Sequence, residues 1–398
     1  MLIASLALRD LLRDRFFLVC NVAVMVGILV PLLVLFGVKN GVYSALIGEM
    51  LADPANLQID TAGNVTLTPD QIAPLYDWED VTFVTPKVRG QFDFVNTRKT
   101  GGRRITAALL VPSGAGDPTL TPEARVEDAQ VAVSAQLAAA LEISAGDAMQ
   151  IITQAEDRPR QLLLDARVSA VLPEQAVSGR AVLAPFETLD LVEAFYDSYS
   201  LPEHGIEGSK DLADRAQAFE GVRLFARALE DLAVVQARTE RTLDVATVAN
   251  TRAVTSVLQL GRNLNLALGL TTILAAIGLG GALVLGFWSD VARKRAVLAG
   301  IALLGVPGRQ LALFPVVQAA LTAVIGLTLS FAIYGIAARI AAGMFGQGLP
   351  DGARLAIISV SQAVVICIAV LALVIVAAGV AAWRVQRLDP ATVLREEV

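Results

Sequence analysis

Four long stretches of the chain are strongly apolar and contain no charged residue. They cover residues 16–38, 266–288, 311–338 and 355–383, which is 23, 23, 28 and 29 residues. A helix of roughly 20 residues crosses the hydrocarbon core of a bilayer, which is about 30 Å thick. Each stretch is therefore predicted to be a transmembrane helix. The first is longer than the apolar region of a signal peptide, roughly 7–15 residues, and is interpreted as an uncleaved anchor.

Basic residues are concentrated on one side of these predicted spans. That side contains Arg9, Arg13, Arg15, Arg293, Lys294, Arg295, Arg309, Arg384, Arg387 and Arg395. The short flanks on the other side contain only Lys39, Arg339 and Arg354. Because cytoplasmic loops carry an excess of Lys and Arg, both termini are predicted to be cytoplasmic.

The predicted fold is an α-helical membrane protein with one span, a large extracytoplasmic α/β domain, and then three spans. In order, the predicted parts are a cytoplasmic amphipathic lead-in (1–15), span one (16–38), the external domain (39–262) with stalk helices at 39–52 and 250–265, span two (266–288), a cytoplasmic coupling loop (289–310), span three (311–338), a short external loop (339–354), span four (355–383) and a cytoplasmic tail (384–398).

The external domain is acidic and has a mixed pattern of strands and helices. Residues 40–262 hold 19 Lys and Arg and 31 Asp and Glu, a net charge of −12, whereas the remainder holds 13 and 7, a net charge of +6. The pattern predicts strands at 131–133, 149–153, 166–172, 181–184 and 222–226, a helix after Ser134 and another at 228–241. An acidic domain without a basic cluster argues against nucleic acid as the partner.

The residues that could form a metal or catalytic centre are few. The single histidine is His204, and both cysteines, Cys20 and Cys367, lie in the apolar stretches. A histidine-based or thiolate metal site in the external domain is therefore not expected. Within the spans, the uncharged polar residues Asn21, Gln318 and Gln362 are expected to form hydrogen bonds between helices.

Two predicted helices extend from the membrane into the external domain. Nothing breaks the helical pattern between Asn250 and Trp288, and Val257, Leu260 and Leu264 follow 3-4 spacing, a seam for a partner helix. Further along, Gly278, Ala282 and Gly286 form a stripe of small residues that favours close helix packing. Both patterns predict a contact with a second copy. A simple amphipathic spacer and packing within one subunit are the alternatives.

The loop 289–310 combines a basic cluster with a short apolar segment that ends at Gly and Pro. Such a cytoplasmic helix is suited to docking into a groove of another protein. The segment is similar to the loop of the type VII ABC permeases, the mechanotransmission family that includes macrolide-exporter, lipoprotein-releasing and cell-division members. The matching residues are Lys294, Leu304, Gly305, Arg309 and Gln310, whereas Val297, Ala302 and Gln318 depart from charged positions of the family pattern.

Three further stretches resemble the same family. The tail 382–396 is the most specific match, the stretch 6–13 resembles the amphipathic lead-in, and Ser134 with Gly146-Asp147 resembles a strand–helix–turn of the external domain. The resemblance implies a permease in the bacterial cytoplasmic (inner) membrane, paired with a second copy or a paralogue and with a cytoplasmic ABC ATPase dimer. An extracytoplasmic partner is also possible within this family.

No phosphate-binding G-x-x-x-x-G-K-[ST] motif occurs in the chain. The resemblance therefore implies that ATP and Mg²⁺ are bound by the partner ATPase, and that this chain is not itself an enzyme and binds no cofactor. The implied coupling residues are Arg293, Lys294, Arg295, Leu304, Gly305, Pro307, Arg309, Asp389, Pro390, Leu394 and Arg395.

The function implied by the resemblance is export or extraction of an amphiphilic substrate, such as a lipoprotein, a lipid, a peptide or a drug. One alternative is a regulator whose external domain activates a partner such as a cell-wall hydrolase. Another is a membrane sensor that works without an ATPase. An anchored external enzyme is disfavoured because no nucleophile–base constellation is readable in the sequence.

Overall fold

The computed structural model describes residues 2–155, 158, 160–294, 300, 307, 313–345 and 358–385. In chain order the helices are α1 (Leu2–Arg13), α2 (Arg15–Ala52), α3 (Pro69–Ile72), α4 (Ala135–Leu141), α5 (Phe186–Tyr196), α6 (Leu232–Leu243), α7 (Thr251–Arg293), α8 (Leu313–Phe345) and α9 (Val360–Val385). The strands are β1 (Gln58–Thr61), β2 (Val81–Lys87), β3 (Phe94–Lys99), β4 (Ile105–Pro112), β5 (Gln130–Ser134), β6 (Ala148–Thr153), β7 (Leu162–Leu172), β8 (Ala181–Ala184), β9 (Gly221–Ala226) and β10 (Thr247–Ala249).

The chain divides into two compact units. One comprises Met1–Leu46 with Leu260–Val398, and the other comprises Ile47–Gln259. Four helices are long and apolar enough to cross a membrane: Arg15–Ala52, Thr251–Arg293, Leu313–Ala341 and Val360–Trp383. The domain between the first and second of these is rich in β-structure. The chain is thus a multi-pass helical protein with a β-rich insertion.

In the helical unit, α2 packs along a single ridge of its surface. Phe17, Asn21, Met25, Leu29, Leu33, Gly37 and Gly41 are all buried, and each is four residues from the next. Residues four apart line up along one face of a helix, which lets neighbouring helices interdigitate with them. At Gly37 an added Cβ would stand 2.5 Å from the hydroxyl oxygen of Tyr334. The helices therefore approach closely where the ridge has no side chain.

Polar residues within the apolar helices form hydrogen bonds of two kinds. Gln318 in α8 donates to the carboxylate of Asp10 in α1 at 2.8 Å, and Asn40 in α2 donates to Gln362 in α9 at 2.9 Å. The expectation of bonds between helices is therefore confirmed for Gln318 and Gln362. It is wrong for Asn21, whose amide donates at 3.0 Å to the carbonyl of Phe17 in its own helix, because a short amide reaches the carbonyl four residues back.

The second unit contains a small antiparallel sheet in the order β10-β1-β9-β2. Its two faces differ sharply because side chains alternate along each strand. Ile59, Val84 and Leu224 belong to an apolar cluster that includes Leu232 and Val235 of α6. The opposite face carries polar residues: Asp60 and Thr85 are both the strand partners of Arg223.

The second unit also contains a closed six-stranded barrel in the order β3-β4-β8-β5-β7-β6. Its core includes Leu110, Val133, Met149, Val168 and Val182, which are almost completely buried. The predicted strands correspond to β5, β6, β7, β8 and β9, and Ser134 caps α4 by accepting from the backbone N–H of Leu137. These predictions are confirmed. The predicted helix at 228–241 begins four residues later, at Leu232.

Ion pairs link segments of the sheet to the barrel. Arg223 of β9 donates through Nη1 to the Asp117 carboxylate at 2.9 Å and to the carbonyl of Pro112 at the end of β4 at 2.9 Å. Nearby, the buried Glu193 of α5 pairs with Arg89, which follows β2, and with Arg215 at 3.0 Å. The polar face of the small sheet is therefore turned toward the barrel.

Asp93 is the exception among the charged residues near this junction. Its side chain forms no direct hydrogen bond or salt bridge among the described residues, although Lys87 attracts it electrostatically. The pKa of Asp93 is raised to about 6, mainly by burial, and this value already includes the lowering effect of Lys87 and the raising effects of Glu220 and Glu193. The ionised carboxylate therefore costs the folded domain some stability at neutral pH.

The raised pKa of Asp93 predicts how stability depends on pH. The folded state holds this proton more tightly than the unfolded state, so the contribution is favourable below pH ~4 and is lost as pH rises to about 6. We expect Asp93→Asn to match the wild type at pH 4 and to be more stable at pH 7. The gain should be about 1 kcal/mol, less than the full linkage value because the side chain is partly exposed. Urea unfolding of the full chain, with Trp288 and Trp383 replaced by Phe in both proteins so that Trp78 alone fluoresces, measures the difference. Equal stability of the two proteins at pH 7 would contradict the expectation.

Candidate functional site

The N-terminal helix is attached to the helical unit by its apolar face and by a glutamine. Ala7 and Leu11 of α1 are almost completely buried. Gln318 of α8 donates to the carbonyl of Ala7 at 3.4 Å as well as to Asp10. An amphipathic helix normally lies at a membrane surface through its apolar face. In this structure the apolar face of α1 is instead buried within the helical unit. Gln318 of α8 forms hydrogen bonds with α1.

A cluster of five charged residues lies where α1, the start of α2 and the end of α7 meet. Lys294 Nζ is 2.6 Å from Asp10 and 3.1 Å from Asp290, and its distance to Asp14 is 3.8 Å. Arg293 contacts Asp14 at 2.9 Å and Asp290 at 3.0 Å. Three carboxylates thus surround two cations. We call these five residues the charge cluster.

The charge cluster is only partly open to solvent. Asp290 is 4% exposed, and the ring of Phe17 lies 5.7 Å from both Arg293 and Lys294. Phe17 in turn meets the edge of Phe287, with their centroids 6.2 Å apart. A buried carboxylate of this kind is tolerated only when cations and hydrogen-bond donors accompany it. Ion pairs with Asp290 therefore fix the positions of Arg293 and Lys294. Their ion pairs with Asp14 and Asp10 in turn attach α1.

The arrangement suits mechanical attachment better than chemistry. It has no nucleophile beside a base, and the described residues contain no group of three or more His, Cys, Asp or Glu side chains that could hold a metal ion. Its salt bridges connect the N-terminal helix to the last residues of α7, at the beginning of the segment 289–310. A displacement of that segment would therefore be transmitted to α1.

The predicted coupling residues are distributed unevenly over the structure. Arg293 and Lys294 belong to the charge cluster, and Pro307 is exposed. The others lie outside the described residues: Arg295, Leu304, Gly305, Arg309, Asp389, Pro390, Leu394 and Arg395. Lys294 forms contacts within the chain that the sequence does not indicate, because its ammonium group already pairs with carboxylates of the same chain.

The predicted seam on α7 is partly exposed. Val257 is half-buried, whereas Leu260 and Leu264 are exposed. The intervening Gly261 is buried against Tyr43, whose ring occupies the place of a Cβ. Helix α7 therefore contacts α2 through Gly261, while Leu260 and Leu264 remain exposed.

The predicted stripe of small residues is divided between two environments. At Gly286 an added Cβ would stand 2.7 Å from the side-chain oxygen of Asn21, so this glycine serves packing within the chain. Around Gly278 no described atom lies within 4 Å of that position, and Ala282 is half-buried. Several large apolar residues on α7 are also strongly exposed, including Leu270, Leu274, Ile277 and Leu285. Lipid or another helix must cover this face in a membrane.

Sequence reasoning missed the acidic half of the charge cluster. Asp10, Asp14 and Asp290 were not identified as site residues, although two signals were present. Asp290 lies three and four residues before Arg293 and Lys294, a spacing that places them on one helix face. Asp10 and Asp14 lie four apart beside an apolar helix face. Their meeting with Lys294 joins positions up to 284 residues apart, which spacing along the chain does not reveal.

Comparison with known proteins adds no family assignment. No family model matches the chain, and no curated protein matches it. A functional interpretation therefore depends on the residues and the geometry described above.

The charge cluster predicts that Lys294 holds α1 in place. We expect Lys294→Ala to increase hydrogen–deuterium exchange in residues 2–13, measured by mass spectrometry on the full chain in detergent. Hydrogen bonds to charged groups contribute about 1.5–3 kcal/mol, so local opening should become about tenfold more frequent. Lys39→Ala, which removes a lysine outside the cluster, should leave this segment unchanged. Unaltered exchange in Lys294→Ala would show that the cluster does not restrain α1.

Proposed function

We propose that this chain is the permease subunit of an ABC transporter and couples ATP hydrolysis by a separate ATPase subunit to movement of its external domain. The observation that carries the proposal is the continuity of α2 and α7. Each is a single helix that begins in one compact unit and ends in the other. Each helix therefore connects a membrane segment to the domain without a break in its helical structure.

The lengths of these helices support a mechanical role. The 38 residues of α2 and the 43 residues of α7 correspond to about 57 and 64 Å at 1.5 Å per residue. The hydrocarbon core takes about 30 Å of each. Roughly half of each helix therefore extends beyond the core. Such extensions transmit a tilt in the membrane to the β-rich domain.

The charge cluster supports a docking surface at the other end of α7. Arg293 and Lys294 begin the basic segment that precedes the predicted coupling helix, and their carboxylate partners fix the exit of α7. A partner ATPase that binds the loop 289–310 would act on the end of α7, whose position these ion pairs fix. The N-terminal helix, held by Asp10, would move with it. In this arrangement ATP and Mg²⁺ belong to the partner.

The composition of the spans supports movement of the external domain over passage of an ion. None of the four uncharged stretches contains Asp, Glu, Lys or His, and proton and ion paths generally require such residues. A crevice of about 220 Å³ among α2, α7 and α9 is lined almost entirely by apolar side chains, including Phe36 and Leu279. An amphiphilic substrate taken from the membrane suits these surroundings. We place the protein in a bacterial cytoplasmic membrane, with both termini in the cytoplasm and a second permease beside it.

Purification with its partners tests the proposed function. The tagged chain, isolated in mild detergent from cells that express it natively, should bring along an ABC-type ATPase in roughly equimolar amount. Leu304→Asp combined with Gly305→Asp should lose the ATPase while the chain remains in the membrane, because charge on the predicted apolar coupling helix would prevent docking. Leu212→Asp makes the same chemical change in the external domain and should retain it. Absence of any ATPase, with and without an ATP analogue, would favour the sensor alternative.

The exposed seam on α7 predicts a contact with a second copy. In a background with Cys20 and Cys367 replaced by alanine, Leu260→Cys should form a disulfide-linked dimer when membranes are oxidised. The contact of Gly261 with Tyr43 already accounts for the neighbouring α2, so the expected partner of Leu260 is the second subunit. Arg262→Cys is on a different helix face and should remain monomeric. If the folded Leu260→Cys protein remained monomeric, the predicted contact between two copies through this seam would be wrong.

A further inference from the structure

The apolar crevice among α2, α7 and α9 lies in one half of the membrane. Its walls come from residues 28–36 of α2, 272–279 of α7 and 366–373 of α9. All three stretches belong to helices that are long and apolar enough to cross a membrane. In each helix they occupy the half of the predicted span that adjoins an external segment of the chain. In the proposed topology this half is the extracytoplasmic leaflet.

The crevice is closed toward the other half of the membrane and reaches the surface at its side. Below it α7 meets α9, because a Cβ added at Gly280 would stand 3.1 Å from Cδ1 of Leu373. Between the same two helices the lining residues are small: Ala275 is half-buried, whereas Ala276 and Ala369 are exposed. The crevice therefore opens to the bilayer between α7 and α9.

Water does not suit this space. Among the described residues that line it, one side chain is polar, and this hydroxyl, of Thr272, already donates to the carbonyl of Leu268 at 2.7 Å. A buried water needs two to four polar partners, and apolar cavities without them stay dry. An empty crevice would forfeit the dispersion contacts of its walls. An apolar occupant is therefore favoured.

The dimensions of the crevice match a single hydrocarbon chain. Ile28 and Phe36 are eight residues apart on α2, which is about 12 Å at 1.5 Å per residue. This length fits within one leaflet, which is half of a core about 30 Å thick. Spread over that length, the volume of about 220 Å³ gives a mean cross-section of about 18 Å². A helix, about 10 Å across, is too wide to enter.

The outer end of the crevice is polar and carries a positive charge. One turn beyond Phe36, Asn40 donates to Gln362 of α9 at 2.9 Å. Lys39 donates to the side-chain oxygen of Asn40 at 3.2 Å, and its ammonium group lies 5.6 Å from the centre of the Tyr43 ring. Lys39 forms no ion pair with the part of the chain that the structure describes. A lysine at a membrane surface attracts anionic lipid headgroups.

We propose that the crevice holds one acyl chain of an anionic phospholipid as a resident ligand. The chain enters between Ala276 and Ala369 and fills the dry space, and the phosphate group faces Lys39. Because lipid tails are as apolar as the walls, the affinity comes from packing and from this charge. The lipid is bound before any substrate or ATPase arrives, so the inference goes beyond the proposed transport.

Native mass spectrometry of the full chain in mild detergent tests the proposal by counting bound lipids. The probes are phosphatidylglycerol, which is anionic, and phosphatidylcholine, which has no net charge. The wild type should retain one phosphatidylglycerol per chain and bind it about fivefold more tightly than phosphatidylcholine, the preference expected from one lysine. Lys39→Gln should bind the two lipids equally, because the acyl chain still fits.

A second set of variants fills the crevice. Ala275→Phe should bind phosphatidylglycerol at least about tenfold more weakly, because the ring occupies the place of the acyl chain. Ala369→Phe fills the space from α9 and serves if Ala275→Phe loses its helical circular dichroism. Ala332→Phe makes the same change at an exposed position of α8 outside the crevice and should bind like the wild type.

Three results would overturn the proposal. The first is a wild-type protein that retains no phospholipid, which is also the result expected if a second copy fills the crevice. The second is undiminished binding of phosphatidylglycerol by a folded crevice-filling variant. The third is an unchanged preference for phosphatidylglycerol in Lys39→Gln. None of these measurements involves an ATPase, so their failure is distinct from failure of the proposed function.

Discussion

The cost of burying an ion without a partner governs the polar structure of both units. Removing a charge from water costs several kcal/mol, which opposite charges and hydrogen bonds must offset. In the helical unit, the buried Asp290 is accompanied by Arg293 and Lys294, and these cations draw in Asp10 and Asp14. In the β-rich unit, Arg223 is accompanied by Asp117. Each buried charge therefore fixes the position of segments that are distant in sequence.

The same requirement explains which features the sequence allows one to predict. The four apolar helices follow from stretches that have no charge, and β5 to β9 follow from short apolar runs between turns. Closure of the barrel between β3 and β6 and the order of the small sheet do not follow, because they depend on pairing between distant strands. The charge cluster is of the same kind. Sequence spacing identifies Arg293 and Lys294, whereas the partners Asp10 and Asp14 are supplied by folding.

Close helix packing complements these charge pairs in the helical unit. The ridge of α2 ends in Gly37 and Gly41, and Gly37 lies against Tyr334. At the other end, Asn21 lies against Gly286 and Phe17 meets Phe287. Interfaces made of close contacts have few alternative arrangements, because packed surfaces do not deform continuously. The close contacts of α2 therefore restrict how the neighbouring helices of the unit can be arranged around it.

The buried position of Arg223 follows from the alternation of side chains in β9. Because Leu224 must face the apolar cluster against α6, Arg223 must face the barrel, where it lacks water. Asp117 and Pro112 satisfy one of its nitrogens, whereas Nε is buried without a hydrogen-bond partner in the described chain. The ion pair of Arg223 with Asp117 therefore joins the small sheet to the loop that follows β4 of the barrel.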